Sequence, residues 1–246
     1  MINDLRNALF SWPEPSFGGV SFAVWGVSMT AVDETVTPPR RKLSRGERRL
    51  QLIEATISVI AENGFARTTL GEVAKRAGLS HGLANFHFES KDKLLAATLD
   101  HLSEEYRANW QAALSVTGPH PADRIAALIA ADFAPAICTP DRLAAWCSFW
   151  GEAQSRPMYQ ESCGSNDEEY QLLLEGLCGD LLALGGYLGD AVRIARVLRV
   201  TTEGVWLDLM TVQNPYSREE ALATVWASAA AFFPRHFGPE GRLAGV

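Results

Sequence analysis

The chain is predicted to be all-α, with a small helix-turn-helix unit ahead of a larger helical region. Three observations predict this. From Ser44 onward apolar residues recur at three- and four-residue spacing, and no alternating strand pattern competes with them. Two short helical stretches meet at Gly78-Leu79-Ser80, a glycine that can reverse the chain followed by a serine that can start the next helix. The charge also changes sign along the chain. Pro38 to Leu99 carries 11 Lys and Arg against 6 Asp and Glu, whereas Asp100 to Val246 carries 10 against 19. A basic module followed by an acidic one is the asymmetry expected when only one end meets a polyanion.

With 246 residues, 47% of them apolar, the chain can bury a sizeable core, and its net charge of -7 argues against coating nucleic acid over its whole surface. The first 28 residues fit nothing that follows. Their apolar run from Val20 to Val27 is too short to span a bilayer, and they lack the basic start and cleavage site of a secretory signal. A start codon assigned too far upstream accounts for them, so that the working protein begins at Met29; an amphipathic appendage is the alternative. Residues 29–44 then read as a disordered tail leading into a basic arm. Cys138, Cys147, Cys163 and Cys178 form no CxxC pair and no metal-finger spacing, so they read as reduced thiols in a cytoplasmic protein.

The first helix is expected in RGERRLQLIEATISVIAENGF, where Leu50, Ile53, Ile57 and Ile60 recur at three- and four-residue spacing and Asn63-Gly64 ends it. Thr68 or Thr69 caps a short second helix, with Glu72 three residues after Thr69, and Gly78 stops it. Ser80 caps a third, His81 to Phe88, and Ser90 caps a fourth, Lys91 to Leu114. Ala84 and Phe88, four apart, pack inward. His81 and Asn85, also four apart, share another face with Gly82 and Leu83, polar, small and free of acids. Such a face can lie in a major groove without repelling phosphates, while the N–H groups behind Ser80 can point at one.

The stretch TTLGEVAKRAGLSHGLANFHFESKDKLL closely resembles the DNA-binding domain of the TetR family of transcriptional repressors. The resemblance is strong over about Arg45 to Leu99. It implies that Thr68, Thr69, His87 and Lys91 hold DNA phosphates and that His81, Gly82, Leu83 and Asn85 meet base edges. Leu83 and Asn85 depart from the threonine and tyrosine common in the family; asparagine can pair with adenine and leucine can touch a thymine methyl, which leaves the operator sequence open. The resemblance implies a homodimer on a palindromic double-stranded operator, with residues 1–44 as an extension, 45–99 as the DNA-binding domain and 100–246 as a helical effector-binding and dimerisation domain.

In that larger part, helices are expected over Pro121–Ala136, Asp141–Gln154, Asp167–Leu184, Ala191–Met210 and Arg218–Phe233, with SRPMYQESCGSN as one of the connecting loops. The stretches LAAWCSFWGEAQSRPMY, TTEGVWLDLM and NPYSREEALATVWASAAAFFPRHF look like the C-terminal domain of BetI-type, choline-responsive repressors. Ala221, Leu222, Val225, Trp226, Ala229, Phe232 and Phe233 give the last helix more apolar surface than one bundle face needs, which reads as a dimer contact or as core. Trp146, Phe149, Trp150, Tyr159 and Trp206, with Glu152, Glu203 and Asp208 near them in sequence, fit either core packing or an aromatic and acidic cage. A cage would take a small cation such as choline, a betaine precursor or a polyamine; an uncharged hydrophobic effector is the alternative. No E-x-x-H, H-E-x-x-H, phosphate loop or G-x-S-x-G is found, so neither an enzyme nor a cofactor or metal site is expected.

Overall fold

The computed structural model describes residues 43–152 and 157–245; the expectations about a start at Met29 and a basic arm fall on residues outside that range. From Arg45 onward the chain is a single compact unit. Among the described residues there are nine helices: α1 (Arg45–Asn63), α2 (Leu70–Arg76), α3 (His81–Phe88), α4 (Lys91–Ser115), α5 (Pro121–Asp132), α6 (Pro140–Glu152), α7 (Pro157–Gly185), α8 (Ala191–Thr211) and α9 (Arg218–Phe232). A two-stranded antiparallel hairpin, β1 (Phe237–Gly238) and β2 (Gly241–Arg242), follows them.

The helix-turn-helix forms as its caps dictate. Thr69, not Thr68, is the N-cap of α2, its hydroxyl accepting from the Glu72 N–H at 3.2 Å. At the other end the Leu79 N–H donates to the Ala74 carbonyl (2.8 Å) and the Gly78 N–H to the Lys75 carbonyl (3.1 Å), a Schellman closure that requires the left-handed φ of +65° at Gly78. Ser80 then accepts from the Leu83 N–H at 3.2 Å and Ser90 from the Lys93 N–H at 3.2 Å, which start α3 and α4.

Two apolar clusters divide the interior. The smaller joins Leu52, Ile53, Ala55 and Val59 of α1 to Val73 and Ala74 of α2, Ala84 and Phe88 of α3 and Leu94 of α4. The larger takes Ile57 and Ile60 of α1, Leu95, Leu99 and Leu102 of α4, and most of α5 to α9. Helix α1 is thus buried around much of its circumference instead of along one stripe, and Leu50, expected inward, is exposed.

Elsewhere three expectations are corrected. Helix α5 stops at Asp132 instead of Ala136, because Pro135 has no N–H and disfavours helical geometry in the residue before it. Pro157–Asn166, expected as a loop, forms the first turns of α7: Pro157 takes the first helical position, where a missing N–H costs nothing, and Cys163 is buried. The closing hairpin was not foreseen. Two residues per strand leave no alternation to read, and it is held by tertiary contacts, with Arg242 Nε donating to Asp123 Oδ1 of α5 at 2.8 Å.

Gly78 and Gly82 offer a paired test of the turn. A Cβ at either would meet no atom within 4 Å, but only Gly78 has a positive φ. Gly78→Ala is expected to lower unfolding free energy by about 1 to 2 kcal/mol, whereas Gly82→Ala, within α3, is expected to raise it by roughly 0.5 to 1 kcal/mol. Chemical denaturation of both variants checks this.

Candidate functional site

The exposed side of α3 carries His81, Gly82 and Asn85, with Leu83 half-buried beside them, while Ala84 and Phe88 point inward. These four are the residues expected at base edges, and they lie together. Ser80 and Thr69 are also exposed, each with its hydroxyl accepting a helix-starting N–H.

Three residues expected at phosphates are held differently. Thr68 is completely buried and its hydroxyl donates to the Gly64 carbonyl at 3.0 Å, so it fastens the connection between α1 and α2 and cannot reach DNA as it stands. His87 is only 8% exposed. Burial, and then the guanidinium groups of Arg45, Arg49 and Arg48, push its pKa below the ordinary histidine value, which favours the neutral ring. Lys91 is half-buried, its ammonium donating to the carbonyls of Phe65 and Ala66, both at 3.0 Å, which leaves one hydrogen for a phosphate.

Phe86 was missed. It is 65% exposed, next to the polar face of α3, with the Arg45 guanidinium 5.6 Å from its ring centroid. The sequence signal was its position two residues from both Ala84 and Phe88, off the buried line. Helix α1 buttresses this unit through polar contacts as well: Gln51 donates to the Ala77 carbonyl (2.7 Å), and Arg49 donates to the His87 carbonyl (2.9 Å) while lying 4.3 Å from the Phe88 ring centroid.

A second site is a cavity of about 240 Å³ among α4, α5, α6, α7 and α8. That is below the roughly 300 Å³ at which pockets for drug-sized molecules begin, so a fitting occupant is small. Trp150 and Trp206 stack across it with planes 10° apart and centroids 6.3 Å apart. Trp146 lies 6.2 Å from Trp150, and Tyr106 meets Trp146 and Trp206 edge-on at 6.4 and 6.0 Å. The Trp150 indole donates to Tyr159 Oη at 3.2 Å, and Tyr159 donates in turn to Asp167 at 3.4 Å. Glu203 on the wall is paired with Arg199.

Of the residues expected in a cage, Trp146, Trp150, Tyr159, Glu203 and Trp206 do line this cavity. Phe149, Glu152 and Asp208 do not. Phe149 is buried edge-on against Phe65 at 5.5 Å, and with the half-buried Glu152 it borders a separate small cleft. Asp208 is exposed, two residues from Trp206 and therefore on the far side of α8, and it bonds Tyr216; Glu203, three residues before Trp206, shares its face.

Asp132 went unread in the sequence, yet it is the most perturbed carboxyl of the cavity. It closes α5, is 2% exposed, and accepts from Tyr106 Oη on Oδ1 (2.8 Å) and from Tyr170 Oη on Oδ2 (3.2 Å). Burial pushes its pKa up to about 7, and the charge of Glu203 adds to this against the lowering effect of the two tyrosine bonds. Asp167 is also raised, chiefly by burial.

A family model described as bacterial regulatory proteins, tetR family, matches residues 52–98, and one described as the C-terminal region of BetI-type transcriptional repressors matches residues 121–234. The HTH-type transcriptional regulator BetI of Paraburkholderia xenovorans is 31% identical over 180 residues, covering 72% of this chain and 89% of that protein. The chain belongs to the TetR family. It is a transcriptional regulator of the BetI type, not an enzyme. Among solved structures, this TetR-family chain is similar to a putative transcriptional regulator from Pseudomonas aeruginosa PAO1, with a TM-score of 0.67 and 25% identity over 78% of this chain and 93% of that one. It is also similar in fold to a putative transcriptional regulator from Saccharomonospora viridis solved in complex with choline, with a TM-score of 0.66 and 18% identity over 78% and 98% of the two chains. No helix among the described residues is long and apolar enough to cross a membrane.

The raised carboxyl has a consequence for stability. A folded-state pKa above the unfolded value gives a contribution that is full below the unfolded value of 3.8 and lost as pH rises through about 7. Asp132→Asn, which cannot ionise, is therefore expected to melt above the wild type at about pH 8 without effector, with the margin closing toward about pH 4. Thermal melts across that range check it.

Proposed function

We propose that this regulator is a repressor that binds a palindromic operator as a homodimer and is released by a small cationic effector such as choline held among Trp146, Trp150 and Trp206. The observation that carries the effector reading is the cavity itself. Its wall holds three carboxyl groups, Asp132, Asp167 and Glu203, against one guanidinium, Arg199, beside stacked indole faces. Cations are attracted to such faces by roughly 0.5 to 2 kcal/mol per contact. The choline named for the Saccharomonospora viridis neighbour fits the same reading.

On the DNA side, His81, Gly82, Leu83 and Asn85 form the reading face, and Ser80, Thr69 and the remaining hydrogen of Lys91 face phosphate. The dimer contact moves from the residues first considered. Ala221, Val225, Trp226, Ala229 and Phe233 are buried within the chain's own core. Val197, Val200 and Leu207 are exposed along one side of α8, in line with exposed Gly204, and Thr224, Ala227 and Ala231 are exposed along α9. Pairing these stripes with those of a second copy would cover apolar surface, and such a dimer needs its two α3 helices about 34 to 36 Å apart to enter successive major grooves.

The route between the sites runs through α6. Arg142, one turn before Trp146, donates to both carboxylate oxygens of Glu105 on α4 (2.6 and 2.7 Å) and to Glu54 on α1 (3.2 Å). Next to it, Asp141 accepts from Ser58 of α1 at 3.0 Å, and His101 of α4 lies 3.2 Å from Glu54. A ligand that moves Trp146 and Trp150 therefore moves the side chains that hold α1, which supports both helix-turn-helix helices. The ligand shifts the DNA-bound population only by its differential affinity for the two arrangements.

Selection from random duplexes should return an inverted repeat for the wild type, and Asn85→Ala should relax preference at one base pair in each half-site by about 1 to 3 kcal/mol. An unchanged preference removes Asn85 from the reading face. Choline titrated into the operator complex should dissociate it; a complex indifferent to choline and related cations refutes the effector reading. Arg142→Met should still bind the effector, while the ratio of operator affinities without and with effector, about 5 to 150 in coupled systems of this kind, falls toward one. Paired operator-binding titrations measure that ratio.

A further inference from the structure

Asp132 is hard to explain as packing. An ionised carboxylate taken out of water costs several kcal/mol unless paired, and the C-terminal end of a helix, where the peptide dipoles point their negative end, adds to the cost. Among the described residues no basic side chain forms an ion pair with it. The groups that face it come from every neighbouring element. Tyr106 of α4 and Tyr170 of α7 donate to it, and Glu203 of α8 repels it. Asp167 of α7 and Arg199 of α8 share its cavity, with Arg199 engaged by Glu203. The Cys138 thiol lies beyond the end of α5, and Arg218 of α9 donates to the Phe133 carbonyl at 3.0 Å and lies 4.0 Å from Glu219. The two tyrosine hydroxyls satisfy one lone pair on each carboxyl oxygen without bringing a charge.

We propose that Asp132 is the specificity-determining residue of the cavity, protonated while the cavity is empty and giving up that proton to solvent as a monocation enters beside it. This deepens the cationic-effector reading and rests on it. The only bond that breaks is the carboxyl O–H, whose electron pair stays on the carboxylate. One proton leaves the Asp132 carboxyl for the buffer, one cation arrives, and the buried site keeps its net charge. A neutral molecule of the same shape displaces no proton and leaves the carboxyl uncharged, so the exchange itself separates cationic from neutral ligands. Affinity for the cation then rises about tenfold per pH unit below the carboxyl's apparent pKa and levels off above it. With that value near 7, the rise falls in the neutral range.

Calorimetric titration of the full chain tests this, with choline and its neutral isostere 3,3-dimethylbutan-1-ol, at about pH 6 and about pH 8, in two buffers of different ionisation enthalpy. For the wild type, choline should bind roughly tenfold more tightly at the higher pH, with close to one proton released at the lower pH, and the isostere should show neither effect. Asp132→Asn should lose the proton release and the pH dependence, and its preference for choline over the isostere should fall toward one. Asp208→Asn, at an exposed carboxyl on the far side of α8 from the cavity, should keep all three. Tyr170→Phe removes a donor that favours the carboxylate, so its pH midpoint should rise while cation preference survives; should Asp132→Asn fail to fold by circular dichroism, this variant decides, and an unchanged midpoint overturns the proposal. Proton release or cation preference retained in Asp132→Asn, or lost in Asp208→Asn, overturns the role of Asp132 and leaves the aromatic cage standing. A wild type that binds the two ligands equally, or neither, refutes the cationic reading and the proposal together.

Discussion

The double burial of α4 is the constraint on which the rest depends. Its 25 residues span about 37 Å, and its apolar side chains are claimed by different partners along that length. Leu94 packs with the helix-turn-helix, whereas Leu95, the next residue, and Leu99 and Leu102, one to two turns on, pack in the larger cluster. Helix α1 is divided in the same way, with Val59 on one side and Ile57 and Ile60 on the other. Neither helix can shift without disturbing both clusters, and close-packed interiors resist small displacements. The exposed face of α3 and the cavity are therefore joined through helices that both clusters share.

Tyr106 shows how closely that coupling reaches the cavity. It belongs to α4, sits edge-on to Trp146 and Trp206, and donates to Asp132. The long helix thus contributes one wall of the aromatic cluster and one of the two hydroxyls that hold the buried carboxyl. An ionisable group so placed costs stability when it charges, and asparagine, which cannot ionise, would fill the space at less cost. Its position inside an aromatic chamber, beside a second raised carboxyl at Asp167, is what supports the proposed ligand site.

The parts legible in the sequence were those fixed by local chemistry. Caps at Thr69, Ser80 and Ser90, the glycine at Gly78 and the i, i+4 pairing of Ala84 with Phe88 each need only a few consecutive residues, and each forms as its residue types require. The indoles of Trp146 and Trp150 are one turn apart on α6, and Glu203 and Trp206 share a face of α8 for the same reason. Proximity in sequence misled where helical geometry turns a side chain away, as at Phe149, Glu152 and Asp208. At Pro157 the misreading was of function: the proline that ends one segment begins the next helix.

By itself the sequence determined the all-α class, the helix-turn-helix and the face that α3 offers, because backbone hydrogen bonding and side-chain periodicity are set within a turn or two. Only the tertiary structure decided that Thr68, His87 and most of Lys91 serve the fold, that Phe86 stands in solvent, and that Asp132 faces the indoles under two tyrosine hydroxyls. Tyr106 and Tyr170 are 26 and 38 residues from Asp132. Burial and charge depend on what the chain returns from that distance, and no local pattern carries that information.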